Sequence, residues 1–388
     1  MEPFRIAVPE QVLSDLKARL ARTRISDPIA AYGWRQGTEP GYLRDLLNYW
    51  HDAYDWRHHE AALNRFDQFT AEVAGLRLHF IQARSPHPHA RPLLILHGWP
   101  GSFYEFYKLI PLLTHPPGKG DDAAVAFHVI APSLPGYGFS QAPDAPGAGP
   151  RRMAAWMHAL MTTTLGYSRF YLQGGDWGSV IASWLAYDHG EAVAGLHLNM
   201  AGLRPHIAED TPPLTEAERS FLAQARAKRS EDFGYQAIQG TRPQTLGYGL
   251  NDSPAGLAAW LVEKFRDWSD CGGEVERSFS RDELLTNIML YWVTGSITSS
   301  MRLYYEFRKQ GDAGPPPGRR VEVATAFADF PHEILRPPRS WLERVYNLVR
   351  WSEMPSGGHF AALEKPELLA ADIRAAFSEP DGVAPGIR

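Results

Sequence analysis

Three glycine-flanked turns in this chain each hold a residue able to do chemistry. In the first, Gly174-Gly175-Asp176-Trp177-Gly178-Ser179, the turn follows the apolar run Phe170-Tyr171-Leu172-Gln173 and precedes a helical pattern that opens at Val180. A strand, a tight turn with small residues two before and two after a central residue, and then a helix make the geometry of a nucleophile elbow. The central residue here is Asp176, so the elbow carries a carboxylate where an esterase carries serine. An aspartate in this place could also serve as a helix N-cap, but a cap does not need three glycines around it. The second turn, His97-Gly98-Trp99-Pro100-Gly101-Ser102, follows Leu93-Leu94-Ile95-Leu96. It would bring the Trp99 N–H near the elbow, where with the Trp177 N–H it would form an oxyanion hole; its bland reading is a plain Gly/Pro turn. The third, Pro355-Ser356-Gly357-Gly358-His359-Phe360, offers His359 as a general base on a loop ahead of the helix Pro366 to Phe377. Such a base needs an orienting acid at the end of the preceding strand. Phe330-Pro331-His332-Glu333-Ile334 supplies Glu333, with Asp329 as the competitor.

The elements that must hold these turns can be read from periodicity. Strand patterns occur at Leu76 to Ile81, Pro92 to Leu96, Phe127 to Ala131, Phe170 to Gln173, Val193 to Leu198 and Val321 to Ala326, with helical patterns such as Met153 to Leu165 and Val180 to Tyr187 between most of them. This alternation predicts an α/β protein, a mostly parallel sheet with helices on both faces. Residues 1 to 70 read as a helical arm, with Val12, Leu13, Leu16 and Leu20 on one helix and Tyr42, Leu43, Leu46, Leu47 and Trp50 on the next. Its aromatics, Trp34, Trp50 and Trp56 among them, need a partner surface, so the arm is expected to wrap on the core. The core is then 71–202 and 321–388, interrupted by a helical insertion, 203–320, that would roof the carboxyl edge of the sheet as a lid. The turn Leu134-Pro135-Gly136-Tyr137-Gly138 reads as structural, since no third glycine completes a dinucleotide fingerprint.

Composition removes several classes of function. Over 388 residues, 44% hydrophobic and 21% charged, the chain has the make-up of a soluble globular protein with a sizeable core. Its 39 Lys and Arg against 44 Asp and Glu leave a net charge of −5, which gives no basic footprint for nucleic acid. One cysteine, Cys271, excludes an intramolecular disulfide or a multi-cysteine metal site and suits a reducing compartment. No signal peptide or run of about 18 apolar residues is present, so a cytoplasmic protein is expected.

Taken together, these residues resemble the microsomal-type epoxide hydrolases of the α/β-hydrolase superfamily. The resemblance spans nearly the whole chain: the arm, His97-Gly98-Trp99-Pro100, the Asp176 elbow, Phe330-Pro331-His332-Glu333 and Gly357-Gly358-His359-Phe360. It extends into the insertion through Leu250 to Ala259 and Leu284 to Trp292. It implies an α/β-hydrolase fold and hydrolysis of an epoxide to a vicinal diol through an Asp176 ester. His359 and Glu333 would then act as base and orienting acid, and no metal, flavin or nicotinamide takes part. It also implies two lid tyrosines that donate to the epoxide oxygen. The matching positions are Tyr235 and Tyr304, although Tyr305 competes with Tyr304 and either, read alone, is a packing residue. Eukaryotic microsomal members carry a membrane anchor that is missing here, so their location is not carried over. A hydrolytic dehalogenase, with Trp99 and Trp177 facing a halide, and a non-catalytic binding protein are the alternatives. Trp260, Trp268, Tyr291 and Trp292 would suit a bulky or aromatic epoxide, but most such residues are simply core. Detoxification and tailoring of a secondary metabolite such as a polyketide or enediyne are both open as roles, the second preferred, and homo-oligomerisation is left open.

Overall fold

A computed structural model of the chain describes residues 1–116, 125–207, 211–311, 313–379 and 382–384. These residues form a nine-stranded sheet: β1 (Glu2–Phe4), β2 (Gln68–Val73), β3 (Leu76–Ala83), β4 (Arg91–Leu96), β5 (Phe127–Pro132), β6 (Phe170–Gly174), β7 (Val193–Leu198), β8 (Val321–Asp329) and β9 (Tyr346–Glu353). The spatial order is β1-β2-β3-β5-β4-β6-β7-β8-β9. Pairings are antiparallel from β1 to β5 and parallel from β5 across to β9. Every residue of β6 and β7 is buried. That explains why these strands read as continuous apolar runs rather than alternating ones, since helices cover both faces of a parallel sheet.

The register decides where chemistry can happen. Leu96 at the end of β4 is level with Gly174 of β6, Gly174 with Leu198 of β7, and Leu198 with Phe327 of β8. Four loops that follow parallel strands, after β4, β6, β8 and β9, therefore gather at one edge, where open α/β sheets bind ligands.

The arm departs from its helical reading at its first residues. Glu2, Pro3 and Phe4 pair with Thr70, Phe69 and Gln68, so the chain starts as an edge strand before its helices begin. Three residues carry too little periodicity to be read as a strand, and Pro3 is tolerated because an edge position asks for fewer N–H donors. The helices Glu10–Leu20, Pro40–Asp52 and Trp56–Leu63 follow. Pro40 opens the second, capped by Glu39, whose carboxylate accepts from the Tyr42 N–H at 2.7 Å. Trp50 and Trp56 are buried as the apolar faces required, and Trp34 lies under the Arg266 guanidinium, 4.7 Å from its ring centre. Side chains tie the arm to the helices between β7 and β8: Thr38 Oγ1 donates to the Ala259 carbonyl at 2.7 Å and Tyr49 Oη to Asp282 at 2.8 Å.

Between β7 and β8 the chain is helical, as its periodicity predicts. Its helices include Pro254–Asp267, Arg281–Thr294 and Ile297–Gln310. Ser280 and Glu283 form a reciprocal capping box that starts Arg281–Thr294, and Gly295, in the left-handed conformation, ends it. Among the described residues no helix is long and apolar enough to cross a membrane.

Candidate active site

Asp176 stands at the first position of the helix Asp176–Asp188 with φ of +47°. A side chain in this left-handed region is held at a cost of about 1–3 kcal/mol and persists only where the surroundings impose it. The N-cap position of this helix belongs to Gly175, and the Asp176 carboxylate is turned to the Trp99 N–H instead, which removes the N-cap reading. Gly178 shows why the flanks must be small: a Cβ there would lie 1.9 Å from the Leu96 carbonyl oxygen. The turn thus presses β6 and its helix against the end of β4, and the two elements can be this close only without a side chain between them.

That approach brings the second turn to the first. The Trp99 N–H donates to Asp176 Oδ1 at 2.7 Å, across a Trp99–Pro100 peptide that is cis. The Trp177 amide sits in the first helical turn, where an N–H has no acceptor within the helix, and makes no hydrogen bond to a described residue. Below the turn His97 is fully enclosed, and burial lowers its pKa to about 4. Its Nε2 accepts from the Leu134 N–H at 3.1 Å and its Nδ1–H faces the Gly98 carbonyl at 3.0 Å. This neutral histidine pins the turn and is not a base. The Leu134 turn is structural, as its sequence suggests.

His359 lies across from the elbow, its Nε2 3.4 Å from Asp176 Oδ2 and its Nδ1 2.7 Å from Glu333 Oε1. Glu333 follows β8 by four residues, placed by a bridge between His332 and Gly358 that runs the two loops side by side. Asp329, the competing acid, is still within β8 and is held by Arg336 through two bonds of 2.8 and 2.7 Å. Burial alone would lower the His359 pKa. The charges and hydrogen bonds of Glu333 and Asp176 outweigh it and hold the imidazole well above its ordinary value.

A cavity of about 370 Å³ opens over Asp176 and Trp177, roofed by Tyr235 and Tyr304. Both tyrosines are buried, with their rings 5.9 Å apart at 81°. Burial and then the Asp176 charge push the Tyr235 phenol up, while burial and then Tyr235 and Asp176 do the same for Tyr304, so both stay protonated donors. Tyr305 points away from this cavity and lies under Lys309 Nζ at 5.4 Å. Of the two readings of the lid aromatics the core one holds: Trp260, Trp268, Tyr291 and Trp292 do not line the cavity. Trp268 packs on Tyr235 and His359, Tyr291 donates to the Gly101 carbonyl at 2.6 Å, and Trp260 donates to Gln239. These four are framework, and the cavity's aromatic wall is made by Phe221, Phe233, Phe307 and Trp341.

Sequence reasoning passes over three polar groups next to Asp176: Glu105, Gln173 and Asn199. The available signals were a carboxylate in the aromatic run Phe103-Tyr104-Glu105-Phe106 and a glutamine in an otherwise apolar strand.

Comparison with known proteins agrees with this geometry. Residues 1–106 match the family model described as epoxide hydrolase N terminus, and residues 91–309 match the alpha/beta hydrolase fold. Epoxide hydrolase 1 of Sus scrofa is 41% identical, over 96% of this chain and 88% of that protein. The crystal structure of juvenile hormone epoxide hydrolase from Bombyx mori superposes with a TM-score of 0.86 at 34% identity, covering 96% of this chain and 92% of that one. Aspergillus niger epoxide hydrolase superposes with a TM-score of 0.83 at 33% identity, covering 96% and 95%. The fold is that of the α/β hydrolases. Within them the chain belongs to the epoxide hydrolase family, and it is an epoxide hydrolase.

Proposed function

We propose that the enzyme opens its epoxide by two displacements at Asp176, with an ester between them. The observation that carries this reading is the position of Asp176 Oδ1 on the Trp99 amide while Oδ2 is left toward His359 and the cavity. A carboxylate attacks a saturated epoxide carbon without first losing a proton, so the first step needs no base. The epoxide oxygen becomes an alkoxide and takes a proton from Tyr235 or Tyr304. Esterification removes the Asp176 charge that helped hold the His359 proton, and the tyrosinate just formed needs one. Transfer of that proton leaves His359 neutral. It can then deprotonate water, which attacks the Asp176 acyl carbon while the Trp99 and Trp177 amides receive the oxyanion. Cleavage of the acyl–oxygen bond releases the diol and restores the carboxylate, and the protonated His359 is as it began. No cofactor has a part in this sequence.

The reading makes an isotopic demand. In a single turnover in H₂¹⁸O with enzyme in excess, the label should enter Asp176 and not the diol, because the diol's new oxygen comes from the carboxylate. Mass analysis of the Asp176 peptide checks this, and label in the first-turnover diol would mean direct attack by water.

The tyrosines act only in the first step. Each Phe substitution, at Tyr235 or at Tyr304, should slow alkylation by about 10- to 1000-fold, or roughly 1.4 to 4 kcal/mol, and the double variant more. Rapid-quench measurement of ester formation is the readout. A silent Tyr304→Phe beside a crippled Tyr305→Phe would move the donor by one residue. The apolar walls of Phe221, Phe307 and Trp341 fit an epoxide with a bulky hydrocarbon body.

A further inference from the structure

A separate small chamber of about 10 Å³, lined by Glu105, Gln173, Asn199, His359 and Asp176 among others, shares only Asp176 with the lining of the substrate cavity. That is the room one water molecule needs, provided that two to four polar groups surround it. Gln173 supplies the clearest sign. It is 1% exposed; its Nε2 donates to Asn199 Oδ1 at 2.8 Å, and its Oε1 accepts a hydrogen bond from no described residue. A buried acceptor left without a partner is destabilising, so it calls for a donor in the space it lines. Asn199 stands over the elbow: a Cβ on Gly175 would be 2.9 Å from either terminal atom of its amide.

Glu105 reaches the chamber from the opposite wall because Gly101 has no side chain. A Cβ at Gly101 would lie 1.6 Å from Glu105 Oε1, so the carboxyl fills the place that any other residue would take. The His97-Gly98-Trp99 turn runs beside it, with the Gly98 backbone favouring its charged form. The sheet therefore brings a glutamine, an asparagine amide and a carboxyl group around one space that borders both the acyl group to be hydrolysed and the base that does it.

We infer that this chamber is the store for the hydrolytic water, with Gln173, Asn199 and Glu105 positioning it for His359 in a space apart from the substrate cavity. The inference rests on the two-step reading above, since only an ester requires a second nucleophile. Water held here donates one hydrogen to Gln173 Oε1 and the other to neutral His359 Nε2, and Glu105 or Asn199 donates to its oxygen. In the reaction that oxygen bonds to the Asp176 acyl carbon. One of its protons passes to His359, the acyl–oxygen bond breaks with its electron pair on the product oxygen, and that oxygen takes the other water proton from the new carboxyl group, leaving the diol and the Asp176 carboxylate. Separate spaces for substrate and water remove the need for water to pass a bulky hydrocarbon in the lid cavity. Burial first, with the Asp176 charge adding to it and His359 and the Gly98 amide opposing, raises the Glu105 carboxyl to about 8. At neutral pH it is an O–H donor, and it adds no charge to compete with Glu333 for His359.

Near-isosteric apolar variants, Gln173→Met and Glu105→Met, test the assignment by separating the two steps. Rapid-quench mass analysis should find ester formation within about threefold of wild type and ester hydrolysis slowed roughly 10- to 100-fold, so that Asp176 ester accumulates and kcat and KM fall together. Glu105→Gln, which keeps a donor, should recover much of what Glu105→Met loses. If both steps slow in parallel, or neither slows, in folded variants, the chamber has no such role. Should the variants not fold, the wild-type crystal structure decides, at a resolution that shows buried waters: one ordered at Gln173 Oε1 supports the store, and an empty site there overturns it. His359→Gln run alongside keeps the two readings apart. No adduct in that variant removes the ester and this proposal with it, whereas an adduct there without one in the Met variants removes the chamber alone.

Discussion

Asp176→Asn should yield a folded enzyme that opens no epoxide. Asparagine tolerates the left-handed conformation better than most residues, so φ of +47° at the elbow does not oppose the substitution. Its amide can still accept from the Trp99 N–H, which donates to Asp176 at 2.7 Å. Only the displacing group is lost, because a neutral amide oxygen is a poor nucleophile for saturated carbon. Turnover should fall by at least about 10⁴-fold with little change in thermal unfolding. Intact mass must exclude reversion by deamidation, and near-normal diol formation by a sample verified in this way would remove Asp176 from its role.

His359→Gln separates the half-reactions more sharply. The ester needs no base to form, but its hydrolysis does, so the variant should alkylate once and stall. Mixing with substrate should give a protein heavier by one substrate mass, with the adduct on the Asp176 peptide, and multiple turnover should drop by at least about 10³-fold. Steady diol production with no adduct at any time would sink the covalent mechanism. A pH dependence follows from the same pair. In the free enzyme Glu333 and Asp176 overcome burial to hold the His359 pKa well above its ordinary value. In the ester the Asp176 charge is gone, so the imidazole releases its proton at lower pH. Single-turnover hydrolysis should therefore slow as pH falls, with its midpoint below the free-enzyme His359 pKa measured by NMR. Coincident midpoints would mean that Asp176 keeps its charge throughout the cycle.

Much of this site is legible in short stretches of the chain. Asp176, Trp99 and His359 sit in turns whose geometry is set within a few residues by glycine, proline and an adjoining strand, and such short-range constraints are written in neighbouring letters. The parallel sheet is legible for a related reason, since strands buried on both faces must be continuous apolar runs. The rest is of another kind. β1 is three residues long and exists only because β2 offers it an edge. The lid aromatics are open between substrate contact and core in the sequence, because an aromatic side chain reads the same whether it faces a cavity or a core.

The sequence by itself determined which chemistry the chain could perform: an aspartate at an elbow, a histidine on a late loop, and amides from two turns to receive charge. Tertiary structure alone chose between neighbours. Asp329 and Glu333 are four residues apart, but Asp329 remains in β8 and is taken by Arg336, while Glu333 lies past the strand end, where the His332–Gly358 bridge presents it to His359. Tyr304 and Tyr305 are adjacent, but one step along a helix turns a side chain by about 100°, and only one of the two faces the cavity. Glu105, Gln173 and Asn199 come from three distant segments and meet at one chamber because β4, β6 and β7 are neighbours in register. Which long-range neighbours a side chain acquires depends on how the sheet closes, and hydrophobic periodicity carries no record of it.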